Sequence, residues 1–345
     1  MDARRDPRRV EMPGCDDRLV WDVWLSRLHF PALTVADEIG LFAHLDAHPA
    51  TADDVAEGLG LGRRGARALL GLLAALGFLA QHQGRFYLSD VARTYLLPDS
   101  PYYWGGMLQL FKDRPLTHDA VREALQREAQ LGAETFARSW ETGELDEAQA
   151  RAITRAMHSH SFPAAVGLAR RGDFSGVRRL LDVGGGSGGA CIAIALRYPE
   201  MRCTVLELPA VCRIAQQYVA EYGLAEQIDT VAADMFADPW PAGYDAVLFG
   251  NVFHDWDRTR CLALSRRSFE ALPAGGRIYL HEMLLADTKD SPLAAAAFSM
   301  QMAVRTRGKQ FTAGELVDLL SECGFVDAGV TPTYGYYSLV SARKP

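Results

Sequence analysis

No apolar run in this chain approaches the ~20 residues that a membrane-crossing helix needs, so the sequence offers no candidate span. The Arg-rich opening, MDARRDPRRVEMPGCDD, lacks the apolar stretch of a secretory signal, and Asp2, Asp6 and Glu11 argue against a transit peptide. Residues 1–16 therefore read as a disordered leader on a cytoplasmic protein. No CxxC pair occurs among the six cysteines (Cys15, Cys191, Cys203, Cys212, Cys261 and Cys323). Their scatter through apolar segments suits reduced core thiols better than a disulfide frame or a zinc site. Positive charge is not in excess either. Against 36 Lys and Arg stand 43 Asp and Glu, a formal net charge of −7, which disfavours non-specific attraction to nucleic acid or to an anionic membrane surface.

The chain does have length and two contrasting styles of sequence. At 345 residues it has room for two domains. The stretch from 17 to about 165 reads as nearly all helical, whereas 175–345 alternates β-branched runs with amphipathic stretches, the pattern of a parallel sheet with crossover helices. WDVWLSRLHFPALTVADEIGLFAHL is too apolar for a surface helix with one covered face and is expected to pack against more than one layer. Thr51 is placed to cap a following helix, Gly60 and Gly62 mark a turn into another, and QHQGRFYLSD reads as a hairpin. Helix–turn–helix–hairpin is a winged-helix outline and raises DNA binding. The charges oppose that: Arg63, Arg64, Arg67 and Arg85 are balanced by Asp53, Asp54, Glu57 and Asp90, and the second helix is mostly Leu, Ala and Gly. A groove-reading helix needs a basic, polar face. A module for dimerisation is the better reading, spanning 17–105. A helical segment at 106–170 follows, in which Met157, His160 and Phe162 are either helix packing or the wall of a substrate pocket.

RLLDVGGGSGG at 179–189 is the most informative stretch. A buried strand ends at Asp182, and Gly184, Gly185, Gly186 and Gly188 turn into a helix, because the backbone must bend sharply and approach a ligand with no Cβ in the way. Such a ligand lies where strand C-termini meet a helix N-terminus. A glycine turn alone serves NAD, S-adenosylmethionine (SAM) or nothing. Glu207 ends the next strand, 25 residues beyond Asp182, where a carboxylate accepts ribose hydroxyls. The third strand ends at Asp234 with Met235 and Phe236 after it, an acid for an adenine's edge and apolar bulk for its face. A dinucleotide fold would place a second phosphate-binding half downstream, and no second glycine-rich turn occurs.

These residues, with LELP at 206–209, ADMF at 233–236, NVFHDW at 251–256, ALPAGGRIYLHE at 271–282 and GKQFT at 308–312, closely resemble the small-molecule O-methyltransferase family. That family includes caffeic acid and acetylserotonin O-methyltransferases and many bacterial antibiotic-tailoring enzymes. The resemblance covers nearly the whole chain. It implies an α/β class I methyltransferase, with a Rossmann-like SAM-binding sheet at 171–345 and an N-terminal winged-helix-like domain that forms a homodimer. It also implies a small-molecule acceptor, with no nucleic-acid or membrane partner. By position, Gly184 and Gly186 line the SAM pocket, Glu207 holds the ribose, and Asp234 and Met235 hold the adenine. His254 matches the general base, a role that suits a neutral imidazole facing a phenolic or enolic proton, and Glu282 matches the acid that orients it.

The sequence departs from the family at two places. Gly250 stands where plant relatives have lysine, with Asn251 the candidate replacement in the cofactor site. Where the family has GGKERT, GKQFT places Gln310, which can hydrogen-bond but cannot stabilise an imidazolium by charge. This leaves two alternatives to O-methylation: metal-assisted C-methylation of an α-keto acid through His254 and Asp255, or SAM binding without transfer. FSMQMAVRTRGKQ has no second histidine for a metal, and His281 alternates with Glu282 onto the other face of its strand, so no tightly bound metal is expected. Met302, Asp255 and Arg305 complete the expected acceptor site, with Arg305 and Arg307 either pairing with a substrate carboxylate or standing as solvated loop charges.

Overall fold

The computed structural model describes residues 12–126 and 146–345; most of the expected leader lies outside them. The chain divides into two compact units between Ser100 and Pro101. The described part of the helical segment expected at 106–170 falls in the same unit as the sheet that follows.

The first unit runs α1 (Arg18–Ser26), α2 (His29–Glu38), α3 (Leu41–Ala47), β1 (Ala50–Thr51), α4 (Ala52–Gly58), α5 (Arg63–Ala75), β2 (Leu79–His82), β3 (Arg85–Leu88) and α6 (Asp90–Tyr95). Its three strands lie in the order β1-β3-β2. Thr51 caps α4 in a capping box: its side chain accepts from the Asp54 amide while the Asp54 carboxylate accepts from the Thr51 amide. Gln83 and Gly84 both take left-handed backbone, the two-residue hairpin turn whose twist matches its strands. α5 turns Ala66, Leu70 and Leu73 inward, and Arg67 pairs with Asp53 at 3.0 Å. The helix a DNA-binding module would present thus has an apolar inner face, and of its exposed arginines Arg67 is paired with an acid.

The apolar N-terminal stretch is covered unevenly within one chain: α1 buries no residue, and Leu19, Val20, Trp21, Val23, Trp24, Leu28, Phe30 and Val35 remain exposed, whereas Ala36, Leu41, Phe42 and Leu45 are buried. The stretch is apolar all round because one chain covers only part of it.

The second unit adds α7 (Gly105–Phe111), α8 (His118–Gln126), α9 (Glu147–Arg171), β4 (Arg179–Val183), α10 (Gly189–Arg197), β5 (Arg202–Glu207), α11 (Pro209–Glu221), β6 (Ile228–Ala232) and β7 (Ala246–Gly250). A 3₁₀ turn (Phe253–Asp255), α12 (Arg258–Ala271), β8 (Arg277–Met283), α13 (Leu293–Arg305), α14 (Ala313–Glu322), β9 (Val326–Tyr334) and β10 (Tyr337–Arg343) follow. The seven strands lie in the order β6-β5-β4-β7-β8-β10-β9. β6 to β8 are parallel across this order, and β10 joins antiparallel between β8 and β9. Both faces of β4, β5, β7 and β8 are buried, which is why these four read as continuous apolar runs. In β4, Leu180 packs with Cys191, Ile194, Val205 and Leu168 on one face. Leu181 and Val183 pack with Phe249, Leu264 and Leu320 on the other. The direction of winding reverses between β4 and β7, which opens a crevice at their C-terminal ends, where ligands bind in such sheets.

Candidate active site

A cavity of about 440 Å³ occupies that crevice, within the range of small-molecule sites. Its cofactor end is built from strand termini. Gly184 (φ +70°) and Gly186 (φ +56°) adopt left-handed backbone in the loop after β4, and a Cβ on Gly184 would press on Val252 at 3.0 Å. Glu207, ending β5, accepts from the Leu208 amide at 2.7 Å and the Gly186 amide at 3.3 Å, which fixes its carboxylate against the loop. Burial raises its pKa. Asp234, just past β6, commits Oδ1 to the Phe236 and Ala237 amides at 2.7 and 3.3 Å; Met235 lines the wall beside it. Asn251 follows β7 in left-handed backbone (φ +56°), and its amide donates to the His281 carbonyl at 3.0 Å.

Two residues not singled out by sequence complete this end. Asp182 is buried with Oδ1 unpartnered, and burial pushes its pKa up to about 7. Its signal was present: an acid ending a buried strand just before a glycine turn. His158 of α9 hydrogen-bonds Ser187 in the glycine loop at 2.7 Å and stacks between Phe162 and Tyr218, at 4.8 and 4.3 Å. Burial lowers its pKa to about 4. The unpartnered oxygens of Asp182 and Asn251, both lining the cavity, suit a ligand that brings an ammonium and hydroxyl donors. SAM carries both, so the residues present fit it.

The other end holds His254. Its turn follows β7, and Glu282 reaches across from β8. Glu282 Oε1 accepts from the Val252 and Phe253 amides, each at 3.0 Å, and Oε2 lies 2.8 Å from His254 Nδ1. A carboxylate only accepts, so Nδ1 carries a proton, and it is Nε2 that holds the lone pair when the ring is neutral. Asp255 Oδ1 stands 3.8 Å from Nε2. Burial alone would lower the His254 pKa, but Glu282 and Asp255 outweigh it and lift the value to about 9. Burial in turn raises Asp255 to about 6, with His254 pulling against it. The Phe298 ring meets the imidazole edge-on at 5.3 Å. Met157, His160, Met302 and Arg305 line this end with Met107 and Phe111.

Phe162 and Gln310, both expected in the site, are outside the cavity lining. Phe162 is buried behind it, stacked on the lining residue His158 and packed against Tyr102 and Tyr222. Gln310 makes no hydrogen bond to the imidazole: its side chain is buried without a hydrogen-bond partner, and Glu282 is the group bonded to the ring. His281 bonds Thr333 through Nε2 at 2.8 Å. Among the described residues no cluster of three or more His, Cys, Asp or Glu is disposed to hold a metal, and no helix is long and apolar enough to cross a membrane.

Comparison with known proteins identifies the family. Residues 116–326 match the O-methyltransferase domain and residues 22–98 match the O-methyltransferase dimerisation domain. The chain belongs to the SAM-dependent O-methyltransferase family and is a class I methyltransferase with an N-terminal dimerisation domain. It is 38% identical to a 3-hydroxy-5-methyl-1-naphthoate 3-O-methyltransferase of Streptomyces sahachiroi, over 85% of this chain and 84% of that one. It is 30% identical to an L-tyrosine C(3)-methyltransferase of Streptomyces lavendulae, over 79% and 76%. Among solved structures, human N-acetylserotonin methyltransferase in complex with SAM superposes with a TM-score of 0.80 at 26% identity, covering 96% of this chain and 99% of that one.

Proposed function

We propose that this enzyme transfers the methyl group of SAM to a hydroxyl of a small aromatic natural product, with His254 as general base. The Glu282–His254 pair carries the reading: a buried carboxylate fixes the imidazole so that its basic nitrogen meets the cavity. Its known relatives support the acceptor class, since one methylates a hydroxynaphthoate. SAM, when bound, supplies an electrophilic methyl on a positively charged sulfur. The chain's own residues do the rest. Glu207 accepts from the ribose hydroxyls, Asp234 and Met235 hold the adenine by its edge and face, and Asp182 takes the ammonium. His254 Nε2 removes the acceptor's proton as its oxygen becomes the nucleophile, and Glu282 stabilises the resulting imidazolium. Met157, Met302 and Phe298 exclude water from the acceptor. The exposed face of α1 and α2 joins two copies into a homodimer, and the free cysteines suit a reducing, cytoplasmic setting.

Replacing His254 by Ala tests the base. Methylation of a hydroxyarene is expected to fall about 10²–10⁴-fold, the usual contribution of such a group, while binding of S-adenosylhomocysteine is retained. Full activity in the variant removes His254 as the base, and NMR of the product distinguishes an O-methyl from a C-methyl group.

A further inference from the structure

Arg305 ends α13 at the acceptor end of the cavity. Phe298, Met302 and Arg305 are spaced by four and three residues, one face of a helix, and all three line the cavity. Phe298 touches His254 at one end of that face. At the other, the Arg305 guanidinium lies 5.0 Å over the Phe111 ring, and Nη2 donates to the Arg114 carbonyl at 3.0 Å. Its Nε is buried and has no partner. Among the described residues no carboxylate pairs with Arg305. Burial lowers its pKa and the like charge of Arg114 acts in the same sense, yet a guanidinium stays protonated in proteins. A half-buried cation with an unused donor is costly to leave in that state, and it points to a ligand anion.

We propose that the acceptor is a hydroxyarene carrying a carboxylate, received by Arg305 while its hydroxyl lies at His254. This rests on the methyl-transfer reading above and adds a recognition group to it. The seven residues from Phe298 to Arg305 rise about 10 Å along the helix, and side chains lean toward the helix N-terminus. The common lean leaves that separation about unchanged, a span suited to two fused rings and their substituents. A planar guanidinium matches a carboxylate in shape as well as charge. The alternative anion, the carboxylate of the cofactor itself, is tied to its ammonium, which the reading above places at Asp182 beside the glycine loop.

The test compares 3-hydroxy-1-naphthoate with its methyl ester, as ligands of the enzyme loaded with S-adenosylhomocysteine and as methyl acceptors, in wild type, Arg305→Lys and Arg305→Met. Wild type is expected to prefer the acid by about 10- to 100-fold, the worth of hydrogen bonds to a charged group. Arg305→Met should bring that ratio to about one by weakening the acid, Arg305→Lys should keep part of it, and affinity for S-adenosylhomocysteine should stay within twofold. Equal affinity for acid and ester in wild type overturns the proposal, as does failure of both to bind. So does an Arg305→Met variant that loses cofactor affinity, or that weakens acid and ester in equal proportion. Acid and ester methylated equally well would leave the transfer reading standing without the carboxylate site. An acid that binds through Arg305 and is not methylated would do the reverse.

Discussion

At the scale of the residue, His254 is caught between opposing demands. A base needs an unprotonated nitrogen, whereas Glu282 and Asp255 hold the imidazole toward its charged form, with its pKa lifted to about 9. That arrangement favours the imidazolium formed once the proton has been taken, at the cost of the fraction ready to take it at neutral pH. The sign of the pH dependence follows. kcat/KM for the acceptor rises as the ring deprotonates, by about tenfold per pH unit on the acid limb. In Glu282→Gln the carboxylate charge is gone and burial, which lowers the ring's pKa, gains the upper hand. The acid limb should then move to lower pH by one unit or more, while the plateau falls by about 10²-fold because the imidazolium has lost its counter-charge. A cationic ligand beside the ring acts against the raised value, so the shift between variants is the quantity to measure. A limb that stays put in Glu282→Gln would show that Glu282 does not set the base.

At the scale of the element, the His254 turn is held by a neighbour as well as by its strand. The loop after α13 lies directly on it: the Arg307 amide donates to the Asp255 carbonyl at 3.2 Å, and a Cβ on Gly308 would stand 2.0 Å from the His254 carbonyl oxygen. Backbone on both sides leaves nothing flexible to give way. Gly308→Ala should therefore displace the turn and lower kcat by about 10²-fold, the effect of misplacing a catalytic group by about an ångström. The glycine loop lies elsewhere, so affinity for S-adenosylhomocysteine should change little; equal losses in both would point to general unfolding. The same contrast between elements explains what the amino-acid sequence disclosed. Glu207, Asp234 and His254 sit at or just past the ends of strands, where the period of two and the turn chemistry locate a side chain. α9 offers no such mark. It is buried along most of its length, with Pro163 inside it, so its pattern does not separate Met157 and His160 on the cavity side from Phe162 in the core. Gln310 was placed by likeness to a family glutamate, and an amide with no partner is a contact that pattern alone does not disclose.

At the scale of the whole molecule, the exposed face of the first unit is the feature that one chain leaves unresolved energetically. Trp21 and Trp24 meet edge to face at 5.3 Å and are each about half exposed, at 50% and 49%, with Leu19, Val20, Val23, Leu28 and Phe30 exposed around them. Monomeric proteins rarely leave so large an apolar patch in water, and this one runs from Leu19 into the region from residue 22 onward that matches the dimerisation domain. A stable interface removes about 1,200–2,000 Å² from solvent, and tryptophans contribute much of the energy in such contacts. Changing Trp21 and Trp24 to Glu would place two carboxylates per chain in that interface, each costing several kcal/mol if buried unpaired. The dimer dissociation constant should rise by more than about 10³-fold, so that sedimentation at micromolar concentration reports a dimer for the natural sequence and a monomer for the variant. Both side chains lie at the surface of the single chain, so its own core is untouched. Far-UV circular dichroism and binding of S-adenosylhomocysteine should be kept, and a variant that stays dimeric would place the interface elsewhere.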